Sequence, residues 1–468
     1  MLKRIMSREI TADYETQYLF PRSLEEWVGP EDPARFIREF VRQLDVRGWR
    51  DEQDDSGPEN PMGRPHYGFE LLLSVWLYGY VYGIRSSRQL ERGCRQLLPL
   101  MWLAGTHQPD HNTLWRFWNR YRSVLREVFT QSVKVALEAN LVGMVLHALD
   151  GTKIAARVSR RSGLHREDLR RVMKAVDQRI EQLERQIETS RDEGEVDDRL
   201  PQDLTQQTVL RERIQTALAQ LDENKEDHLH PGDLDARMMI DGRGRKSFSY
   251  NAQTVVDDKA GVIVAADVTN EANDTGQLAP MIDQVHDNVG ANADTTVADS
   301  GYDTAEGLGK VEKRARVVVA SKVRIDDVGP YHSARFTYNA DRDQVQCPRA
   351  EWLSREGTRR HSSKPYPVQT YRCHVSDCPV RNACSRDKRG RVIEISPYHA
   401  AVSRNRDRLG QASGREALRK RGATVERIFA EIKETLGFRR WTVGGMGKVQ
   451  AQWALICAAM NLRRMIFA

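Results

Sequence analysis

The sequence predicts a mixed α/β (α+β) chain: a helical N-terminal part, a split α/β core, and two segments inserted into that core. Three observations predict it. Apolar residues recur at helical spacing up to about residue 136, short apolar runs later end abruptly in Asp, and two stretches break this pattern without the signals of either neighbour. The boundaries that follow are 1–136 for the helical part, 137–160 and 228–322 for the first pieces of the core, 161–227 for a helical insertion, 323–400 for a Cys-rich insertion, and 401–468 for a C-terminal helical piece of the core.

The N-terminal stretch MLKRIMSREITADYE lacks the apolar region of a secretory signal. Pro33 to Leu44 places Phe36, Ile37, Phe40, Val41 and Leu44 at helical spacing behind the start signal PEDPAR. Asp51 to Pro65 reads as a loop. Tyr67 to Tyr82, Ser87 to Leu98 and Asn112 to Ala136 read as helices. The most hydrophobic run, Phe69 to Ile84, contains Glu70 and stops short of a bilayer span, so a buried helix in a cytoplasmic protein is expected. On the third helix Arg116, Arg120, Arg122 and Arg126 alternate with Trp115, Phe117, Trp118 and Tyr121. Such interleaving suits DNA-backbone contact by Arg116 and Arg120, and equally suits core aromatics beside solvated arginines.

Leu141 to Ile154 is an apolar run followed by Asp-Gly-Thr, read as a buried strand delivering Asp150 to its C-terminal end, where a turn begins. Carboxylates at strand ends commonly line sites in α/β folds. Arg161 to Asp227 then carries Leu169, Met173, Val176, Ile180, Leu183 and Ile187 in four-three spacing, repeated by Leu210, Ile214, Ala217 and Leu221 after a break at Glu193 to Gln202. An antiparallel coiled-coil hairpin is expected, serving dimerisation, DNA contact or neither; its negative charge argues against hugging DNA. Strands are read at Ser249 to Asp257 and Gly261 to Thr269, a helix from about Gly276 to Val289, and a short strand, Thr295 to Gly301, ending in Asp299. Arg316 to Ser321 is the last strand of the run.

Between Val323 and His399 the chain turns polar, with little potential to form a core. Cys347, Cys373, Cys378 and Cys384 cluster there without a tight C-x-x-C pair; four thiolates can close a zinc site, and reduced free cysteines fit as well. Cys94 and Cys457 lie in apolar helices and read as core. Six cysteines in 468 residues do not make a disulfide scaffold.

The overall balance, 72 Lys and Arg against 66 Asp and Glu, says little about partners. Its distribution says more: residues 401–468 hold 14 basic and 5 acidic side chains, whereas 161–230 hold 12 and 17. A basic C-terminal part points to a polyanion. Within it, Gly422 to Trp441 places Val425, Ile428, Phe429, Ile432 and Leu436 on a buried helical stripe, with Glu426 and Lys433 together on another face. Thr424 is the expected N-cap, putting Glu426 beside the positive helix end. Asp150, Asp299 and Glu426 converging could hold two hard divalent cations for in-line phosphoryl transfer.

LDGTKI around Asp150, VADSGYDT around Asp299 and VERIFAEIKETLGFRRW around Glu426 resemble, in order, the three catalytic blocks of bacterial insertion-sequence DDE transposases. YGFELLLSVWLYGYVYGIRSSRQLE and PDHNTLWRFWNRYR resemble the family's N-terminal helical domain, SYNAQTVVD its middle strands, and the Cys-bearing insert is similar to that of some members. The resemblance implies an RNase H-like catalytic core, Mg2+ (or Mn2+) held as two ions by Asp150, Asp299 and Glu426, and strand cleavage and transfer at terminal inverted repeats and target DNA, by a homodimer or larger assembly. By position, Lys433 corresponds to the family's phosphate-contacting lysine. The tyrosine and arginine positions of that signature hold Arg419 and Gly422 here, with Arg421 one residue out of register. Arg439, Arg440 and Trp441 suit DNA contact or stacking, and equally a helix cap with one buried aromatic. Rival readings are a DNA-binding regulator that keeps the fold without transferring strands, and a metal-dependent nuclease on the same core.

Overall fold

The computed structural model describes residues 23–46, 49, 67–159, 163–192, 199–224, 228–230, 232–242, 244–323, 325–362 and 364–467. The loop expected at Asp51 to Pro65, the N-terminal fifteen residues and the first part of the break at Glu193 to Gln202 lie outside them. The chain divides into two compact units, 1–79 with 84–117, and 80–83 with 118–468.

Helices α1 (Leu24–Trp27), α2 (Pro33–Gln43), α3 (Phe69–Val81), α4 (Ser87–Gln96), α5 (Leu98–Leu103) and α6 (His111–Arg120) begin in the first unit. Asp32 caps α2, its carboxylate accepting the Ala34 N–H at 2.8 Å, and Pro33 occupies the first turn, where its missing N–H costs nothing. Ala34, Ile37, Phe40 and Val41 form the buried stripe. Helix α4 ends at Gln96 and α5 starts at Leu98, because Pro99 has no N–H with which to continue α4; Leu97 turns extended, and Pro99 falls in the first turn of α5, where that N–H is not needed.

The helix expected from Asn112 to Ala136 is two helices, α6 and α7 (Val124–Glu138), parted by a turn at 121–123. In the second unit, strands β1 (Leu146–Ala155), β2 (Leu164–His165), β3 (His228–Leu229), β4 (Arg237–Ile240), β5 (Lys246–Asp257), β6 (Ile263–Thr269), β7 (Thr295–Ala298) and β8 (Val317–Val319) alternate with helices α8 (Arg166–Asp192), α9 (Arg199–Asn224), α10 (Leu278–Val289) and α11 (Ala305–Val311). One mixed sheet runs β4-β5-β1-β7-β8, and β6 joins the edge of β5 beyond β4. Strand β1 is antiparallel to β5 from His147↔Asp257 to Ala155↔Ser249 and parallel to β7 from Leu146↔Thr295 to Leu149↔Ala298. Helix α15 (Met446–Ile466), buried at every position from Ala451 to Leu462, covers β6 and packs on α7. Its Asn461 amide accepts the Ile263 N–H at 2.8 Å and donates to the Ile263 carbonyl at 2.9 Å, closing backbone groups that a sheet edge would leave open.

Helices α8 and α9 pack together antiparallel: Arg166 donates to the Leu221 carbonyl at 3.2 Å near one end, and Arg211 pairs with Asp177 at 2.8 Å further along. Leu169, Val176, Ile180, Ile214 and Leu221 form a cluster of their own with Leu229 of β3. Among the described residues no helix is long and apolar enough to cross a membrane.

The polar Cys-bearing segment was expected to lack a core and has one. Strands β9 (Thr337–Asn339), β10 (Gln344–Gln346), β11 (Trp352–Arg359), β12 (Val368–Arg372) and β13 (Val392–Ile395) form an antiparallel sheet over Phe336, Val345, Leu353, Tyr371, Ile393 and Ile395. Each strand contributes one or two apolar side chains, too few to show as an apolar run. Helix α12 (Arg381–Cys384) precedes β13, and α13 (His399–Gly410) and α14 (Ala412–Ala430) lead back to the mixed sheet.

Candidate active site

Parallel pairing of β1 and β7 stops at Leu149↔Ala298, and the next residue on each strand is Asp150 and Asp299. The two carboxylates therefore stand side by side where the strands part. Asp150 is not at the end of its strand as expected, and no turn follows it. Strand β5 keeps pairing with β1 to Ala155, so Asp-Gly-Thr stays extended, with Gly151 opposite Gln253. Asp299 caps a 3-10 turn, Ser300–Tyr302, its Oδ1 accepting the Gly301 N–H at 2.7 Å.

Helix α14 supplies the other side. Thr424 is not its N-cap: the helix begins twelve residues earlier, at Ala412 behind Gln411, and the Thr424 hydroxyl donates to the Lys420 carbonyl at 3.0 Å. Glu426 therefore gains nothing from a helix N-terminus. Its side chain is 69% exposed. Arg421, one turn earlier, reaches both acids: Nη1 donates to Asp150 Oδ2 at 2.6 Å, and Nη2 lies 4.0 Å from Glu426 Oε1. Burial pushes the Asp150 carboxyl up to about 6; Arg421 opposes this and Asp299 adds to it. A π-helical turn, Glu431–Thr435, continues α14 and carries Lys433, whose ammonium donates to the Thr152 hydroxyl. Thr152 is two residues past Asp150, hence on the same strand face.

A fourth carboxylate lies here that the sequence did not single out. Asp274 Oδ1 accepts from Asn251 Nδ2 and Gln253 Nε2, both at 2.7 Å, and the Tyr302 hydroxyl donates to Gln253 Oε1. A Cβ at Gly151 would lie 2.6 Å from Asp274 Oδ1, and one at Gly301 would lie 3.0 Å from Asp274 Oδ2 and 2.9 Å from Asp299 Oδ1. Asp274 thus sits between the glycines that follow Asp150 and Asp299. Its only sequence signal is a polar loop before α10.

The remaining expected contacts divide. Arg116 and Arg120 are exposed on α6, with Arg120 lying 5.6 Å from the Tyr121 ring. Arg439 donates to the Lys433 carbonyl at 3.2 Å and pairs with Glu434. Arg440 donates to the Ala156 carbonyl at 3.0 Å. Trp441 offers no stacking face: it is 1% exposed, packed against Tyr250, Phe438 and Trp453, with its Nε1–H donated to the Ile154 carbonyl at 3.2 Å.

Among the described residues, no group of three or more His, Cys, Asp or Glu is already arranged to hold a metal ion. This applies to Cys347, Cys373, Cys378 and Cys384, of which Cys347, Cys373 and Cys384 pack against the small sheet's apolar cluster. It applies also to the three acids, where the Arg421 guanidinium lies against Asp150 and near Glu426. The donor chemistry of the acids nonetheless fits a hard divalent cation. Adjacent carboxylates on a half-buried floor need positive charge, and Arg421 is the cation that supplies it here.

A family model described as Transposase DDE domain matches residues 346–466, the part holding Glu426 and Lys433. A second, described as Transposase domain (DUF772), matches residues 22–120. No curated protein matches the chain.

Proposed function

The chain belongs to the insertion-sequence DDE transposases, and from that premise we propose that it cuts and rejoins DNA strands at the ends of its element, using Asp150, Asp299 and Glu426. The observation that carries this is the register of β1 and β7, which sets Asp150 and Asp299 side by side beneath the helix that bears Glu426. The sheet order supports an RNase H-like core, since three antiparallel strands, β6-β5-β1, continue into the parallel pairs β1-β7 and β7-β8.

Bound there, Mg2+ or Mn2+ would sharpen an attacking oxygen and stabilise the departing one during in-line phosphoryl transfer. Asp150 and Asp299 form the fixed floor of the site. Glu426, exposed on α14, is the ligand free to adjust. Arg421 bridges Asp150 and Glu426 and holds the Asp150 Oδ2 that a divalent cation would otherwise take. Lys433, tethered to Thr152 on the same face, is placed to receive a DNA phosphate oxygen.

The test is nicking and joining of a duplex carrying the element's terminal repeats, in Mg2+, by wild type and Asp150→Asn. Both nicked and joined products are expected from wild type, and a loss of at least about a thousandfold in the variant. Equal nicking by the two proteins sinks the assignment, and nicks without joined products reduce it to a nuclease.

A further inference from the structure

Helix α14 has a second working face. Counting about 100° per residue, Lys420, Thr424 and Arg427 lie roughly 100–160° around the helix from Glu426. That face lines a cleft of about 710 Å³, closed on one side by the β5-β6 turn, Asp258 to Gly261, and on the other by the C-terminal end of α15 with Arg463, Arg464 and Phe467. Gly261, at φ +73°, forms part of the floor, where a Cβ would sit 3.3 Å from Ile428 and 3.5 Å from Arg464.

The charge in the cleft is lopsided. Lys259, Lys420, Arg427, Arg463 and Arg464 face it, against Asp258 and Glu431. Glu431 is already engaged by Arg463 at 3.3 Å and by Arg464. Lys420 is 3.9 Å from Glu416, a weak exposed pair, and Arg427 has no side-chain hydrogen bond or ion pair among the described residues. Lys420 and Arg427 are two turns apart on one helix, about 10 Å. They form a row of positive charge rather than a pocket around a single anion. Phe467, 58% exposed at the rim, adds an aromatic surface with Arg463 5.4 Å from its ring.

We propose that this cleft binds the phosphate backbone of duplex DNA, as a site separate from the acids. The inference rests on the reading that the chain works on DNA. The cleft and Glu426 lie on different faces of α14, so a backbone seated in the cleft is a contact additional to the strand at the acids. A strand-transferring enzyme has use for such a contact, because the cut end and the DNA that receives it must be held together.

The test is fluorescence anisotropy with a duplex of arbitrary sequence, about 30 base pairs long, across a series of NaCl concentrations. The proteins are wild type, Lys420→Glu/Arg427→Glu, and the charge-keeping control Arg427→Lys; thermal melts establish that each is folded. The double variant is expected to bind at least about tenfold more weakly at low salt, with the slope of log affinity on log salt shallower by about 2, and the control to match wild type. Mn2+ binding at the acids, followed by electron paramagnetic resonance, is expected to stay unchanged in both. Unaltered affinity and slope in the folded double variant overturn the proposal, whatever Asp150→Asn does to nicking. Conversely, nicking that survives Asp150→Asn refutes the acid site and leaves the cleft result standing.

Discussion

Arg421 and Asp150 set the behaviour of the site in the absence of metal. The Asp150 carboxyl is pushed up to about 6, chiefly by burial, while in the unfolded chain it titrates near 4. The folded state therefore prefers the protonated acid. The stabilisation from that preference is fully present below about pH 4 and is lost as pH rises through about 6. Asparagine does not titrate, so in chelator-treated buffer wild type is expected to lose about 3 kcal/mol relative to Asp150→Asn between pH 4 and pH 8. Urea melts of both proteins at each pH unit measure this, and a pH-independent difference contradicts it. Removing the guanidinium in Arg421→Ala is expected to move the window upward, since Arg421 is what holds the carboxyl down. Two apolar runs that each stop at an aspartate marked Asp150 and Asp299 as candidates; that the two are neighbours follows from the parallel pairing of β1 with β7, which neither run records. The place of Arg421 was not legible either, because it depends on the rotation of α14 against β1, which no spacing within either element records. Asp274 was invisible for a related reason: its partners Asn251 and Gln253 face it only once β5 is paired.

At the scale of the element, β1 is the strand on which sequence and structure part company. Asp-Gly is a common turn signal, and alone it reads as the end of a strand. Here Gly151 serves a different need, since Asn251, Gln253 and Asp274 crowd the space a side chain would fill. Gly151→Ala should cost about 1–3 kcal/mol in a urea melt and displace Asp274 from its two amide donors. If the glycine were only a turn residue, alanine in this extended backbone would be close to neutral. Helix α14 shows the opposite error. Gly422 and Thr424 look like a boundary, yet the helix runs through both, because Val425, Ile428 and Phe429 are buried and tertiary packing outweighs local propensity. The small sheet from β9 to β13 escaped notice because its strands are three to eight residues long and, β12 apart, bury no more than two side chains each. Periodicity needs length to be seen.

Across the whole molecule, charge is segregated along the chain, and the segment bearing α8 and α9 is the clearest case. Residues 161–230 carry 12 basic and 17 acidic side chains. Their apolar residues form a separate cluster, to which Leu229 and Leu234 are the links from the rest of the unit. The two ends of the segment are already neighbours, since β2 pairs with β3 through Leu164↔Leu229 and His165↔His228. A helical pair that satisfies its own apolar faces and returns to its starting point can be removed with little disturbance to the sheet it interrupts. Replacing residues 166–227 with a short Asn-Gly turn between His165 and His228 should leave a cooperative thermal transition. The expected loss is about 2 kcal/mol, from uncovering Leu229. Duplex DNA should bind the shortened protein at least as tightly as the full chain, because a net negative segment has been taken away and the row from Lys420 to Arg427 is untouched. A drop of more than about tenfold in affinity, with the fold intact, would instead assign the helical pair a DNA contact that its composition disfavours.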